Sequence, residues 1–199
     1  SIEAKTTTQV ALAASDYLGV KPKLLVAEGD KVQAGQSLFV DKAMPQVAYS
    51  APASGKVIKI NRGAKRVLQE IVIEVDAKLE PLKFNAYTPE QLKRLDKDTI
   101  IEQLTSSGAW ASLRTRPFNT TANPATAPSS IFVTAINTRP LAANPALIIS
   151  QANEQFNTGL SILKQLSSGK LFVCLGKDAR LIPYPGASYH KFAGKHRAG

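Results

Sequence analysis

The chain has 199 residues, 44% hydrophobic and 20% charged, with a net charge of +10, enough for one sizeable core or two modest ones. Its apolar runs, such as Ala146–Ile149 and Leu171–Leu175, fall far short of the roughly 20 residues that cross a bilayer, and the first residues lack the basic and apolar regions of a secretion signal. One cysteine, Cys174, excludes an intrachain disulfide framework, and with only His190 and His196 a His- or Cys-held metal site from this chain alone is not expected.

The basic excess suits an anionic membrane surface, an acidic protein partner or nucleic acid. Its densest piece, Lys56, Lys59, Arg62, Lys65 and Arg66, falls on a predicted strand–turn–strand, where charges solvate an outer face. No aromatic residues interleave it, so a nucleic-acid surface is not expected.

In chain order, Val10–Ala13 reads as a first strand. Residues 26–60 follow with two glycine turns, Glu28-Gly29-Asp30 and Ala34-Gly35-Gln36, between short runs carrying Val26, Val32, Leu38 and Val40. Glycine permits the backbone angles that let strands of a few residues reverse tightly. A second half begins at Ala51-Pro-Ala-Ser-Gly-Lys-Val57, turns at Asn61-Arg-Gly63 and closes with Val67–Val75. This is the pattern of a barrel-sandwich hybrid, the small β-fold of biotinyl and lipoyl carriers. In those carriers a modified lysine tops the hairpin between the halves. Here Lys42 comes only six residues after Gln36. A shift of about three positions takes it off the tip and changes its face, so an ordinary surface lysine is expected.

Thr88-Pro89-Glu90-Gln91 places a cap and an N1 proline ahead of a short helix. A second helix opens at Asp98 or Thr99, with Ile100, Ile101 and Leu104 on one face, and stops at Gly108. After a loop rich in Pro, Thr and Ser at 117–130, Ile131–Ile136 is expected as a buried parallel strand. Helical periodicity over 145–167 aligns Phe156, Leu160, Leu163 and Leu166, Gly169 ends that helix, and Leu171–Leu175 is the next strand. Cys174 is expected as a core thiol within it. Strand, helix and strand at this spacing form a βαβ unit. The predicted architecture is therefore a two-domain α+β and α/β chain. A barrel-sandwich hybrid spans 1–80, a linker and helical approach 81–130, and a Rossmann-like α/β domain 131–199, cut short. The closing HKFAGKHRAG is expected to complete no element, and the abrupt start at Ser1 suggests a piece of a longer chain.

Four blocks carry a resemblance: GVKPKLLVAEGDKVQAGQSLF (19–39), SAPASGKVIKINRGAKRVLQEIVIEV (50–75), SSGAWASLRTRPF (106–118) and FVTAINTRPLAANP (132–145). Their sequence and order resemble the A-type subunit of the sodium-translocating NADH:quinone reductases of bacteria. The layout is also similar to that of the C-type subunit of the Rnf complex and of the flavin-carrying subunit of respiratory complex I. The resemblance implies a longer protein, peripheral on the cytoplasmic face of the inner membrane and docked on the membrane-embedded B-type subunit. The complex would oxidise NADH, reduce ubiquinone and export Na+. Its NADH, FAD, FMN, riboflavin and iron–sulfur centre would reside mainly on other subunits.

In the flavin-binding relatives a glycine-rich loop cradles FMN at the SSGAWASLRTRPF position, and the next strand ends in acidic residues. Here the loop reads Trp110-Ala-Ser-Leu-Arg114-Thr115, and the strand is followed by Asn137-Thr138-Arg139-Pro140-Leu141-Ala142, without a carboxylate. Bulk replaces glycine and arginine replaces acid, so no cofactor and no catalytic residue is expected in this chain by itself. Arg114, Arg116, Phe118, Asn137 and Arg139 stand as a quinone or subunit-interface surface, with structural ion pairs the plainer reading of the arginines and packing that of Trp110 and Phe118. The alternative is a flavin- or NADH-binding oxidoreductase domain of the Rnf or complex I type.

Overall fold

The computed structural model describes residues 6–194. The chain divides into two compact units, one reaching to Ala86 and including Ile101–Ala125, the other comprising Tyr87–Ile100 and the chain from Thr126 on.

The first unit holds β1 (Gln9–Ala13), β2 (Pro22–Leu24), β3 (Lys31–Val32), β4 (Ser37–Asp41), β5 (Ala48–Ser50), β6 (Gly55–Arg62) and β7 (Leu68–Val75). They form a four-stranded sheet in the order β1-β7-β6-β3 and a three-stranded sheet β2-β4-β5, all pairs antiparallel. Strands this short are held by the glycine turns. Gly29 and Gly35 have φ of 96° and 88°, a region that a β-carbon disfavours. Each turn then docks on the second half through a reciprocal pair of backbone bonds. Gly29 N donates to Val57 O (2.7 Å) and Val57 N to Asp30 O (2.8 Å). Gly35 N donates to Ala51 O (2.9 Å) and Ala51 N to Gln36 O (2.8 Å). Both sheets contribute to the core, with Leu38, Phe39, Val47 and Tyr49 from one side of the chain and Val32, Val57, Ile71 and Ile73 from the other, all buried. The basic cluster lies outside: Lys56, Lys59, Arg62, Lys65 and Arg66 are all exposed.

The helices α1 (Pro89–Leu92) and α2 (Lys97–Ser107) follow. Thr88 and Gln91 form a reciprocal capping box on α1, as the Thr-Pro signal implied. Helix α2 begins earlier than its sequence suggested, because Asp96 caps it: its carboxylate accepts from Thr99 N (2.9 Å) and from Thr99 Oγ1 (2.8 Å). These bonds to the ionised form hold the Asp96 carboxyl below its ordinary value.

The second unit is built on β8 (Ser130–Ala135), β9 (Lys170–Gly176) and β10 (Ser188–Phe192), a parallel sheet in the order β10-β9-β8. Between β8 and β9 the expected single helix is two, α3 (Pro145–Gln151) and α4 (Asn153–Gln165), because Ala152 has φ −138° and ψ 41° and breaks the ladder. Asn153 holds the break from outside, exchanging hydrogen bonds of 3.1 Å with the backbone N and O of Ile182. Gly169 does not end α4, which stops at Gln165 with Leu166 in helical geometry. Gly169 is required instead by a close backbone approach, since a β-carbon there would run into the carbonyl of Ser129. Strand β10 was not legible: its residues are mostly exposed, and Ser188–Phe192 lacks an apolar alternation, so the expectation that the final segment completes no element is corrected.

The sheet is buried on one face only. Leu160 of α4 packs with Ala135, Leu171, Val173, Leu175 and Ala179. By the alternation of β-strands the opposite face carries Phe132, Phe172, Cys174 and His190. Phe132 and Phe172 stack there at 4.8 Å, and Phe132 is 64% exposed. Strand β8 is therefore half-buried rather than enclosed. Cys174 is likewise not a core residue but half-buried on the open face, where partial desolvation raises its thiol pKa. Leu160→Ala should lower unfolding free energy by about 2–5 kcal/mol, through lost transfer energy and a cavity. Phe132→Ala should cost about 1 kcal/mol, the value of one aromatic stack. Urea unfolding of the two variants followed by circular dichroism checks the difference.

Candidate functional site

Helix α2 ends where Gly108 takes φ 83°, and Ala109–Ser112 form a 3-10 turn that buries Trp110 and Ala111. The Trp110 indole N–H donates to Ala122 O (2.8 Å), which ties the turn to the returning chain. Between them residues 113–122 fold back on themselves. Ala122 N donates to Leu113 O, Arg114 bridges Thr121, and Thr115 N donates to Thr120 O (2.8 Å). The tip carries Arg116 and Phe118, both exposed, Phe118 to 80%.

Arg114 turns the other way. Its Nη2 donates to Asp16 O (2.9 Å), and its guanidinium lies 5.4 Å from the Tyr17 ring centroid. Its Nη1 is buried without a hydrogen-bond partner. Tyr17 meets Tyr49 edge-on at 4.7 Å, and Tyr49 stacks on Phe39 at 4.6 Å. The Tyr49 hydroxyl pairs with Thr121 Oγ1 at 3.2 Å, so the aromatic cluster and the loop brace each other. Burial raises the phenol pKa of both tyrosines. The charge of Asp16 adds to the shift at Tyr17, and the Thr121 hydrogen bond opposes it at Tyr49. Their contribution to stability is therefore whole below the ordinary value of 10.0 and is lost as pH rises through the raised folded values. Alkaline unfolding of this unit should coincide with tyrosinate absorption and be visible in the fluorescence of Trp110, the only tryptophan. Arg114→Ala should cost about 1–2 kcal/mol in urea unfolding, from a charge-assisted hydrogen bond and the ring contact.

In the second unit, the loop after β8 begins with Asn137, whose Oδ1 accepts from Arg139 N (3.1 Å). A cleft of about 490 Å³ opens at the carboxyl ends of the parallel strands. Asn137 and Thr138 line it from the β8 side, Lys177 and Asp178 from the end of β9, and Phe192 from β10. Arg139, exposed on the same loop, is not among its lining residues. The residues singled out from sequence thus divide: Arg114, Arg116 and Phe118 share one loop of the first unit, while Asn137 and Arg139 belong to a loop of the second. Lys177 and Asp178 were missed. Their signal was positional, since ligands of open parallel sheets bind beyond the strands' carboxyl ends.

Lys42 leaves β4 at the start of the β4–β5 connection, whose middle is Met44–Gln46. Its side chain is exposed, but its backbone N donates to Lys21 O (2.9 Å), continuing the β2–β4 pairing. The lysine sits at the root of the hairpin, not at its apex. Asp41 beside it is buried, its carboxylate accepting from Lys21 N (3.2 Å) and Ala43 N (3.1 Å).

Among the described residues no helix is long and apolar enough to cross a membrane. Comparison with known proteins gives a consistent picture. The chain is 43% identical over 199 residues to the A-type subunit of the Na(+)-translocating NADH-quinone reductase of Alcanivorax borkumensis, covering 99% of this chain and 44% of that protein. It is 46% identical over 200 residues to the protein of the same name in Vibrio atlanticus, with the same coverages. The Serratia proteamaculans protein of that name is 46% identical over 193 residues, or 96% of this chain and 43% of the relative. The chain therefore spans less than half the length of the curated relatives it matches. Residues 1–76 match the NqrA N-terminal barrel-sandwich hybrid domain and residues 95–199 the NqrA second alpha/beta domain. The two predicted architectures are those of the matched domains, and the chain belongs to the NqrA family of sodium-translocating NADH:quinone reductase subunits.

Proposed function

We propose that this chain works within a bacterial Na+-translocating NADH:ubiquinone oxidoreductase as a peripheral, cytoplasm-facing component that docks on the membrane-embedded B-type subunit and contacts quinone, without a flavin of its own. NADH, FAD, FMN, riboflavin and the iron–sulfur centre are held mainly by other subunits. The observation that carries the reading is the likeness of nearly the whole chain to proteins named as the A-type subunit of such reductases. The net charge of +10 suits a place beside an anionic membrane surface. The flavin-free character is supported by the turn after α2, where buried Trp110 and Ala111 occupy the stretch that glycines occupy in flavin-binding relatives. The docking role is supported by the Arg116–Phe118 tip, because a projecting aromatic beside an arginine has the composition of an interface anchor. A second reading, a flavin- or NADH-binding domain of the Rnf or complex I type, is favoured only by the cleft beyond the parallel strands. A flavin absorption band in the purified chain would establish it.

Crosslinking the intact complex with a photoreactive quinone, followed by peptide mapping, tests the quinone contact. Label is expected on peptides containing Arg114–Phe118 or Asn137–Arg139, and label confined to other subunits removes the role. Phe118→Ala is expected to weaken incorporation into the complex by about tenfold or more, the effect of losing an interface anchor. Trp110 fluorescence should stay unchanged in that variant. Undiminished incorporation rejects the docking role of this loop.

A further inference from the structure

The geometry points to a ribonucleoside-binding subsite in the cleft of the second unit, with Asp178 taking the sugar hydroxyls and Lys177 a 5′-phosphate. The cleft shares Asn137 with the proposed quinone surface but none of the residues of the Arg114–Phe118 loop. It begins from topology. The strands run β8, β9, β10 along the chain and lie in the order β10-β9-β8, all parallel, with helices between the first two. This is the 3-2-1 strand order of one nucleotide-binding half of a doubly wound sheet, with no helix between β9 and β10 among the described residues, and ligands of such sheets lie in the crevice beyond the carboxyl ends of the strands. The cleft is in that place, and its volume of about 490 Å³ falls in the range of small-molecule sites.

The lining has the chemistry of a nucleoside. Ala135, Ala142, Ala146 and Ala179 present only small side chains among the polar groups of the lining, and Phe192 adds an aromatic surface. Asp178 stands two residues beyond the end of β9, the second strand. In dinucleotide-binding sheets an acid after the second strand hydrogen-bonds the ribose hydroxyls. The Asp178 carboxylate makes no hydrogen bond or ion pair with any described residue, and its two oxygens are free to accept from a vicinal diol. Lys177 is exposed beside it, also without a partner among the described residues, and supplies a cation of the kind that meets phosphate.

The connection between β8 and α3 defines what does not fit. Asn137–Asn144 contains no glycine, so no backbone cradle brings amides close to a pyrophosphate. The ligand class is therefore a nucleoside or its monophosphate rather than a dinucleotide. Gly176 offers a clean way to close the cleft. It lines the space, its φ is not in the left-handed region, and a β-carbon there would meet nothing within 4 Å.

Equilibrium dialysis of the full chain with radiolabelled AMP tests the assignment, with 2′-deoxy-AMP and NAD as competitors. Saturable AMP binding is expected, with 2′-deoxy-AMP weaker by about tenfold, the loss of one hydrogen bond to a charged group. NAD should compete more weakly than AMP. Asp178→Asn should weaken AMP by a similar factor, and Gly176→Leu should abolish binding while circular dichroism stays native. The proposal is overturned by absence of saturable AMP binding, by equal affinity for the deoxy analogue, or by binding that survives Gly176→Leu. Should Asp178→Asn fail to fold, the analogue comparison and the glycine variant decide the matter alone.

Discussion

Two pairs of reciprocal backbone hydrogen bonds, Gly29/Asp30 with Val57 and Gly35/Gln36 with Ala51, are the constraint on which the first unit depends. Strands of two to five residues, such as β2 to β5, have too few ladder bonds to hold a sheet by themselves. Each glycine turn supplies the missing pairing by clamping the first half of the chain to the second, and the positive φ that this needs is open to glycine at little steric cost. The closure brings Val32, Leu38, Val57 and Ile73 out of solvent together. The same closure immobilises the exit from β4, and Lys42 lies within hydrogen-bonded backbone instead of on a swinging tip.

The aromatic cluster beside that core shows how one loop serves two ends. Arg114 faces inward to Tyr17 and Asp16, where it satisfies a backbone carbonyl and covers a ring. Arg116 and Phe118, a few residues on, face solvent at the tip of the same fold-back. Burial of Trp110 under the preceding turn and the Tyr49–Thr121 contact make the base stiff, which presents the exposed ring at low entropic cost.

In the second unit the physics is that of a parallel sheet with one covered face. The Leu160 side supplies the core, while Phe132, Phe172 and Cys174 share the other. Parallel sheets are as a rule covered on both faces. An aromatic stack left 64% exposed at Phe132 is thus the least satisfied apolar feature of this sheet among the described residues, and the matched relatives are more than twice as long as this chain.

Much of the architecture was legible because it rests on local chemistry. Glycines at 29 and 35 announce turns, Thr88-Pro89 announces a capped helix, and the apolar run at 171–175 announces a strand. Tertiary structure decided what periodicity cannot encode. The break at Ala152 depends on Asn153 reaching Ile182, and the role of Gly169 depends on the Ser129 carbonyl. Cys174 read as a core residue because every neighbour in its strand is apolar, yet which face of a strand is buried is decided by what packs on it. For the same reason Arg114, Arg116 and Phe118 looked alike as a string and separate once the chain folds back. The sequence by itself determined the family, the two domain types and the order of most of their elements, β10 and the division between α3 and α4 excepted, since those follow from turn residues and short-range hydrophobic pattern. The tertiary structure alone placed Lys177 and Asp178 beside Asn137, because strands far apart in the chain end at one edge only after they pair.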